Sequence, residues 1–334
     1  MPKVFICNVG NEKIEFTYKL NAKSDFLSNF TMYQYEFVSF KFFEKVYYKN
    51  ALDRIWDFAK LLTLCIGKRV SPLSITSKNE SGQKVEFIYP ASNIMDKEVI
   101  KEHDICIKFS YIRDIFENVI NNWKVKKDKL EPIIDYFVDA YEKVFMVPTS
   151  FLKVIQAIEA YSRRMRKNAV LPQAEFEKKV QNILEKVESS EDRELIKSIL
   201  SNEPRLRKRL AELFNETNYV FDISSKKRKL LICEIVDTRN YYTHFDNKSK
   251  YKILEPERMF YASSFMKLVL RVLLMQELGM SKELIKSRMK EDQELIYIKQ
   301  GLQLIEPISQ FNMTFIPDDK KQSNPLNEKN KSKC

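Results

Sequence analysis

Apolar and polar residues alternate in short stretches over the first part of the chain, the pattern of half-buried strands. The predicted strands cover residues 4–7, 13–18, 72–77, 83–89 and 105–109. Turn-forming sequence at residues 8–11 and at Ser81-Gly82 predicts two hairpins. Apolar positions at helical spacing predict a helix over residues 42–66, which Gly67 can end. The first part is therefore predicted to be mixed α and β.

From about residue 111 onward, apolar residues recur every three or four positions, which predicts a helical remainder of the chain. Amphipathic helices are predicted over residues 111–123, 132–144, 173–187, 190–201, 204–217 and 226–240. Pro148, Thr149 and Ser150 predict a further helix start with a hydroxyl as the N-cap. Its predicted apolar face consists of Phe151, Val154, Ile155, Ile158 and Tyr161.

The most apolar predicted helix begins at Pro256 and ends before Gly279. Its apolar positions surround most of the circumference, as expected at the centre of a bundle. Ser281 is predicted to cap a last helix, and residues 317–334 form a polar tail predicted to be disordered. The predicted class is α+β, with a mixed α/β portion over residues 1–145 and an all-α bundle over residues 146–316.

Composition fits this picture and adds a basic charge. Only 5 of 334 residues are glycine, against 23 phenylalanines and 16 tyrosines, which favours long helices with bulky packing. The net charge of +11 permits contact with a polyanion such as RNA, although a basic balance also fits a merely solvated surface. Basic runs at residues 163–167, 205–209 and 226–229 concentrate that charge between residues 160 and 230.

The cysteines and the hydropathy pattern bear on the compartment. Cys7, Cys65, Cys106, Cys233 and Cys334 lie far apart, without a CxxC or Cys/His ligand spacing, which predicts a reducing cytosol and no zinc site. Neither a signal peptide nor an uninterrupted run of about 18 apolar residues is apparent. We therefore expect a cytoplasmic protein that does not span a membrane.

Histidine is the usual acid or base at neutral pH, and the chain has only two. His103 has no basic or nucleophilic neighbour in sequence and is expected at the surface. His244 follows Arg239 and Asn240 at the end of a predicted helix. Metal-independent RNA cleavage needs a proton acceptor for the 2′-hydroxyl, a cation for the phosphorane and a proton donor for the leaving oxygen. Histidine and arginine suit these tasks.

Helical spacing alone does not bring this pair together. Asn240 and His244 lie four residues apart on one helix face, whereas Arg239 lies about 140° from His244. A long arginine side chain, a helix that loosens near Thr243, or a two-fold dimer could bring the groups around one cleft. Alternatively, both are ordinary residues at a helix end, where the dipole favours histidine.

The stretch DTRNYYTH, residues 237–244, resembles the Arg-Asn-x-x-x-His motif of HEPN domains, with Arg239, Asn240 and His244 in its three positions. Glu159, followed by Arg163 and Arg164, is similar to a Glu-x-x-x-Arg-Arg pattern of some HEPN families. The order of elements over residues 145–310 resembles the HEPN domain of ApeA-type proteins. Residues 57–75 are similar to the end of the ApeA N-terminal region, which usually extends further upstream; a shortened β portion is therefore expected.

The resemblance implies a helical bundle that dimerises through the motif helices, with two Arg/His sets around a composite cleft. It implies a metal-independent endoribonuclease of abortive infection, triggered by a phage-derived signal and needing no cofactor. His244 would be the general base or acid, Arg239 would stabilise the phosphorane and Asn240 would position the reacting groups, leaving a 2′,3′-cyclic phosphate. The alternatives are a non-catalytic RNA-binding or regulatory protein, a toxin controlled by a partner that modifies Tyr241 or Tyr242, and a structural dimerisation module.

Several neighbouring residues have both a functional and a structural interpretation. Glu159 and Arg163 are either an exposed ion pair or a support in which Glu159 holds Arg239. Asp237 orients Arg239 or His244, or faces solvent. The RNA-binding candidates are Arg163 or Arg164 on the RNA backbone, and Tyr241 and Tyr242 on an unpaired base. Packing or an interface is the alternative for the two tyrosines.

Overall fold

The computed structural model describes residues 5–24, 29–78, 81–89, 105–141, 146–245 and 247–304, without the side chains of residues 33–35. Strands occupy the first part of the chain and helices the rest, so the predicted α+β class is confirmed. The predicted tail and His103 lie outside the described residues. The boundary at residues 145 and 146 stays a prediction.

The first three strands form one antiparallel sheet in the order β1-β2-β3. They are β1 (Phe5–Val9), β2 (Glu12–Ser24) and β3 (Phe30–Phe42). Gly10 adopts a φ of 59° in the turn after β1, a left-handed conformation that favours glycine. Val9 and Ile14 are fully buried, whereas Leu20 and Met32 at the far end of the hairpin are exposed. The first predicted hairpin, β1 with β2, is thus confirmed; β2 continues beyond it and pairs with β3, which lies outside the predicted strands.

The predicted helix over residues 42–66 is α1 (Tyr48–Ile66), which begins later because β3 continues to Phe42. Gly67 ends it as predicted, with a φ of 85° and its amide on the Thr63 carbonyl. The second hairpin, β4 (Ile75–Lys78) and β5 (Lys84–Phe87), is also confirmed.

The predicted strand over residues 105–109 is wrong. The amides of Cys106 and Ile107 donate to the carbonyls of Ile66 and Cys65 at the end of α1, and the short helix α2 (Phe109–Ile112) follows. These hydrogen bonds join residues 106–107 to the last turn of α1, and the segment forms no strand.

The two helices predicted over residues 111–123 and 132–144 are one helix, α3 (Phe116–Asp139), with Pro132 inside it. Proline lacks an amide hydrogen and therefore leaves the carbonyl four residues earlier, that of Asp128, without its helical donor. Arg164 supplies a donor: its Nη1 lies 3.3 Å from the Asp128 oxygen and 3.2 Å from the Lys129 oxygen. The guanidinium of another helix thus compensates for the proline.

The remaining helices form a bundle around an apolar central helix, as predicted, together with two helices that project from it. They are α4 (Val147–Met165), α5 (Gln173–Leu184), α6 (Ser190–Ile199), α7 (Leu206–Phe221), α8 (Ser225–His244), α9 (Pro256–Glu277), α10 (Lys282–Lys290) and α11 (Gln293–Gly301). Helix α9 packs on α3, α4, α7, α10 and α11. The predicted apolar face of α4 is buried. One continuous core links the N-terminal sheet to this bundle.

Two predicted helix starts can be compared with the structure. Ser281 caps α10, its Oγ accepting from the Leu284 amide at 3.1 Å, as expected. Helix α10 is not the last, because α11 follows with Asp292 as its N-cap. The hydroxyl cap predicted for α4 is wrong: the helix begins at Val147, with Pro148 in its first turn and no side-chain cap bond.

Helices α5 and α6 project from the bundle as a helical arm, defined here as residues 170–203. They pack mainly on each other, and only Leu184 on them is buried. Asn202 closes the base of the arm: its backbone carbonyl accepts from the Val170 amide at 2.7 Å, and its side chain exchanges two hydrogen bonds with the Leu171 backbone.

Arg271 of α9 is 1% exposed and ties the bundle to α1. Its Nε donates to the Leu64 carbonyl at 2.9 Å, and its Nη2 donates to the Cys65 carbonyl at 3.0 Å. Its Nη1 lies 3.4 Å from the Asp292 carboxylate. One buried guanidinium therefore joins the end of α1, the middle of α9 and the start of α11.

In the part of the chain that the structure describes, α9 is the one helix long and apolar enough to cross a membrane. However, 78% of its most apolar window is buried inside the protein. The core helix of a soluble protein has the same length and composition, so α9 is weak support for a membrane span.

Candidate active site

Helix α8 carries Arg239, Asn240 and His244, and it stays regular through all three. Ser224 caps its start, and the helix includes His244, four residues beyond the predicted end. Thr243 Oγ1 donates to the Arg239 carbonyl at 2.7 Å, within the intact helix. Loosening of the helix near Thr243, one of the three predicted ways to bring the groups together, is therefore wrong.

Arg239 lies against Glu159 of α4, the contact that the functional interpretation of Glu159 requires. Its Nη2 lies 3.8 Å from Glu159 Oε2, and its Nη1 donates to Asn240 Oδ1 at 3.3 Å. The side chains of Arg239 and Glu159 are 31% and 21% exposed. The guanidinium is thus held at its rear by a carboxylate and an amide, while part of it remains open to an anion from solvent.

His244 is exposed at the end of α8. Among the described residues, no hydrogen bond or ion pair holds its imidazole, and none joins it to Arg239. The two side chains point about 140° apart on a straight helix, so convergence on one phosphate through the reach of Arg239 or through a dimer stays a prediction.

Glu159 also contacts Arg163, one turn later on α4. The Nη2 of Arg163 lies 3.1 Å from Glu159 Oε1, and its Nη1 donates to Glu203 Oε2 at the base of the arm. Glu203 in turn lies 3.5 Å from Arg209, whose side chain is fully buried. Five charges of alternating sign therefore run from Arg239 to Arg209, and the sequence pattern indicated only the first three.

Asp237 and Arg164 have structural contacts different from those expected. The carboxylate of Asp237 lies 3.5 Å from Arg207 Nη2 and accepts from the Lys252 amide at 3.3 Å. It orients neither Arg239 nor His244 within the described chain, which corrects its supporting role. Arg164 contacts the Asp128 carbonyl that Pro132 leaves without a donor and the neighbouring Lys129 carbonyl, so its predicted RNA contact has no support from these bonds.

An aromatic cluster adjoins His244. The rings of Tyr241 and Tyr242 lie 5.1 Å apart, and both contact Phe245, at 6.0 and 6.3 Å between centroids. Phe245 ends α8 with a φ of 47° and is 73% exposed. A left-handed residue after a helix is usually glycine. Only the structure shows that the phenylalanine directly after His244 adopts this conformation, and the motif itself does not include Phe245.

A second charged cluster, at the end of α4, was not predicted. Arg166 lies 2.6 Å from Glu216 and 2.9 Å from Glu277, and Tyr161 donates to Glu277 at 2.8 Å. Burial opposes ionisation of Glu277, but hydrogen bonds from Lys126, Arg166 and Tyr161 outweigh it and lower the pKa of this carboxyl. The cluster joins α4, α7 and α9. Arg166, which belongs to the basic run at residues 163–167, therefore has a structural role.

The basic runs are therefore not simply free surface. In the run at residues 163–167, Arg163, Arg164 and Arg166 all have intramolecular partners. Arg209, the last residue of the second run, is buried.

Within the described ranges, no group of three His, Cys, Asp or Glu side chains is placed to hold a metal ion.

Comparison with known proteins gives two matches that cover different parts of the chain. A family model described as Apea-like HEPN matches residues 152–284, and one described as ApeA N-terminal domain 1 matches residues 2–123. No curated protein and no solved structure matches. The first match contains every candidate site residue, and the second contains the sheet, the small hairpin, α1, α2 and the start of α3.

Proposed function

This chain is an ApeA-like HEPN protein, an ApeA N-terminal domain followed by a HEPN domain, and on that basis we propose that it is an endoribonuclease of anti-phage defence. The family associates it with HEPN-type defence, and HEPN domains are in general nucleases. The proposal adds the finer points: RNA as substrate, a metal-independent reaction, a cytoplasmic homodimer and a phage-derived trigger.

The observation that best supports this function is the placement of Arg239. Its guanidinium is partly exposed to solvent and contacts Glu159 and Asn240 on its other side. A planar guanidinium matches two phosphate oxygens and stays protonated at any working pH. Because the Arg239 guanidinium is already held in place next to solvent, it can stabilise the extra negative charge of a phosphorane without reorganising during the reaction.

In this proposal His244 exchanges protons with the reacting oxygens. It takes the proton from the ribose 2′-hydroxyl, or gives one to the leaving 5′-oxygen, and the product is a 2′,3′-cyclic phosphate. Because Arg239 and His244 of one chain diverge, we propose that each cleft combines groups from two copies of α8 around a two-fold axis. Asn240, next to Arg239, positions the phosphate.

The test is cleavage of single-stranded RNA by the purified full chain and its variants. We expect His244→Ala and Arg239→Ala each to lower the cleavage rate by at least about 100-fold, with unchanged circular dichroism. His103→Ala and Arg207→Ala are matched controls that keep activity. Persistent cleavage by His244→Ala would refute the mechanism.

Two further results separate the alternatives. Activity should survive EDTA, and a loss that a divalent ion restores would indicate a metal nuclease instead. Wild-type protein that binds RNA with steep salt dependence but leaves it intact would indicate a binding or regulatory protein. A mass increase on Tyr241 or Tyr242 after co-expression with a partner would indicate a modified toxin.

A further inference from the structure

The base of the arm meets the proposed catalytic arginine through the row of five alternating charges. We propose that Glu203 is a positioning residue for Arg239, acting through Arg163 and Glu159; this rests on the proposed function. Glu203 lies 36 residues before Arg239 in sequence and outside the HEPN motif. It belongs to the arm, so the proposal also makes the arm's attachment part of the site.

Glu203 is held from three directions at the foot of the arm. Its Oε2 accepts from Arg163 and lies 3.5 Å from the buried Arg209. Its Oε1 accepts from Asn168 Nδ2 at 3.4 Å. Its own amide donates to Ser201 Oγ at 3.1 Å, which fixes its backbone. The pKa of Glu203 is lowered, chiefly by the hydrogen bond from Arg163, so the carboxylate is charged at neutral pH.

Arg163 divides its donors between the two carboxylates. Its Nε and Nη2 face Glu159 Oε1, at 3.4 and 3.1 Å, and its Nη1 is taken by Glu203. The second oxygen of Glu159 is thereby left for Arg239. Glu159 therefore faces Arg163 with one oxygen and Arg239 with the other, and its orientation depends on how Arg163 is held.

Removing the charge of Glu203 weakens its hold on Nη1 of Arg163, so that this edge of the guanidinium can turn to another carboxylate. A planar guanidinium with a free edge binds a carboxylate through two parallel hydrogen bonds. Arg163 would then turn Glu159 toward itself in a two-bond pair, and Arg239, already 3.8 Å from that carboxylate, would lose its rear partner. The expected effect is a misplaced Arg239 in the transition state, with little change in RNA binding.

The experiment compares Glu203→Gln with Glu188→Gln, which removes the same charge from an exposed glutamate on the same arm. We expect Glu203→Gln to lower kcat about fivefold with KM nearly unchanged, and Glu188→Gln to change neither. In a Glu159→Gln background, Glu203→Gln should have no further effect, because both act through one chain of contacts.

A second readout does not depend on catalysis. In the full chain with selectively labelled arginine, the NMR signal of the Arg239 Nε–H group should shift on Glu203→Gln and stay unchanged on Glu188→Gln. An unshifted Arg239 signal would overturn the proposal. So would a lowered KM at constant kcat, which means that Glu203 merely repels RNA, or an effect additive to that of Glu159→Gln, which means a general structural role.

The two proposals fail in different ways. Wild-type protein that cleaves no RNA contradicts the endoribonuclease function, and the Arg239 signal alone then decides the coupling. Wild-type protein that cleaves RNA, with Glu203→Gln fully active and the Arg239 signal unmoved, contradicts the coupling and leaves the function standing.

Discussion

Replacing Arg271 by leucine tests whether one buried guanidinium holds the N-terminal domain on the HEPN bundle. The substitution removes the donors for the Leu64 and Cys65 carbonyls and the ion pair with Asp292. Leucine fills part of the space but offers none of these bonds. Burial already raises the pKa of Asp292 against the opposing effect of Arg271, and losing the guanidinium raises it further.

The magnitude follows from burial and from the partners left behind. Breaking a buried ion pair by removing one partner costs about 3–5 kcal/mol, and a single hydrogen bond to a charged group contributes about 1.5–3 kcal/mol. These contributions are not additive, and a cavity of about 320 Å³ lined by Arg271 and Asp292 lets water reach the abandoned carboxylate. We therefore expect a loss of about 3–5 kcal/mol in the free energy of unfolding, against a usual total of about 5–15.

The positions of the two tryptophans make the assay specific. Trp56 lies in α1 and Trp123 in α3, so fluorescence reports the N-terminal half, whereas far-ultraviolet circular dichroism reports mostly the helical bundle. In urea, the two wild-type transitions should coincide, because the core is continuous. In Arg271→Leu both midpoints should fall by about 1–2 M, with fluorescence changing first.

Arg288→Leu is the matched control, since Arg288 lines the same cavity and pairs with the exposed Glu291. Its guanidinium also lies 4.4 Å from the centroid of the Tyr111 ring. Its loss should cost about 1 kcal/mol or less. Equal costs for the two variants, or coincident transitions in Arg271→Leu, would refute the reasoning that Arg271 joins the domains.

Two further predictions concern the charged cluster at α4 and the dimer. Burial acts to raise the pKa of Glu277, but hydrogen bonds from Lys126 and Arg166 outweigh this effect and hold the pKa below its ordinary 4.5. Its stabilising contribution is therefore complete above that pH and is lost as the pH falls through the lowered value. Urea unfolding from about pH 6 to 3 should show the stability gap between wild type and Glu277→Gln closing on acidification, and a constant gap would contradict this. A purified heterodimer of Arg239→Ala and His244→Ala chains should regain about half the wild-type rate, because one of its two composite clefts is intact. No recovery would mean that each cleft uses one chain, and the Arg239→Ala homodimer is the inactive control.

Local signals predicted those parts of the fold that local chemistry decides. Gly67, Pro256 and Ser281 act within one helical turn, and the helix ends they predict are found. Long-range contacts decided the rest. The chain continues as one helix through Pro132, and Arg164 supplies the missing donor from another helix. No periodicity within residues 111–144 contains that information.

The site divides in the same way. The motif places Arg239, Asn240 and His244 on α8, and the pairing of Glu159 with Arg163 follows from helical spacing. Glu203 contacts Arg163 in space, although 40 residues, which include helices α5 and α6, separate the two positions in sequence. Asp237 shows the opposite error: proximity in sequence suggested a role beside Arg239, while its carboxylate contacts Arg207 and Lys252.

The weak packing of the arm has a consequence for how such a chain can vary. Because α5 and α6 bury little and Asn202 closes their base by itself, residues between Leu171 and Asn202 can be replaced, lengthened or shortened at little cost to the core. Glu203 stands just outside that closure. The arm is therefore a segment that can be exchanged, and its attachment point adjoins the proposed active site. A new recognition surface could be acquired there without changes to the core of the bundle.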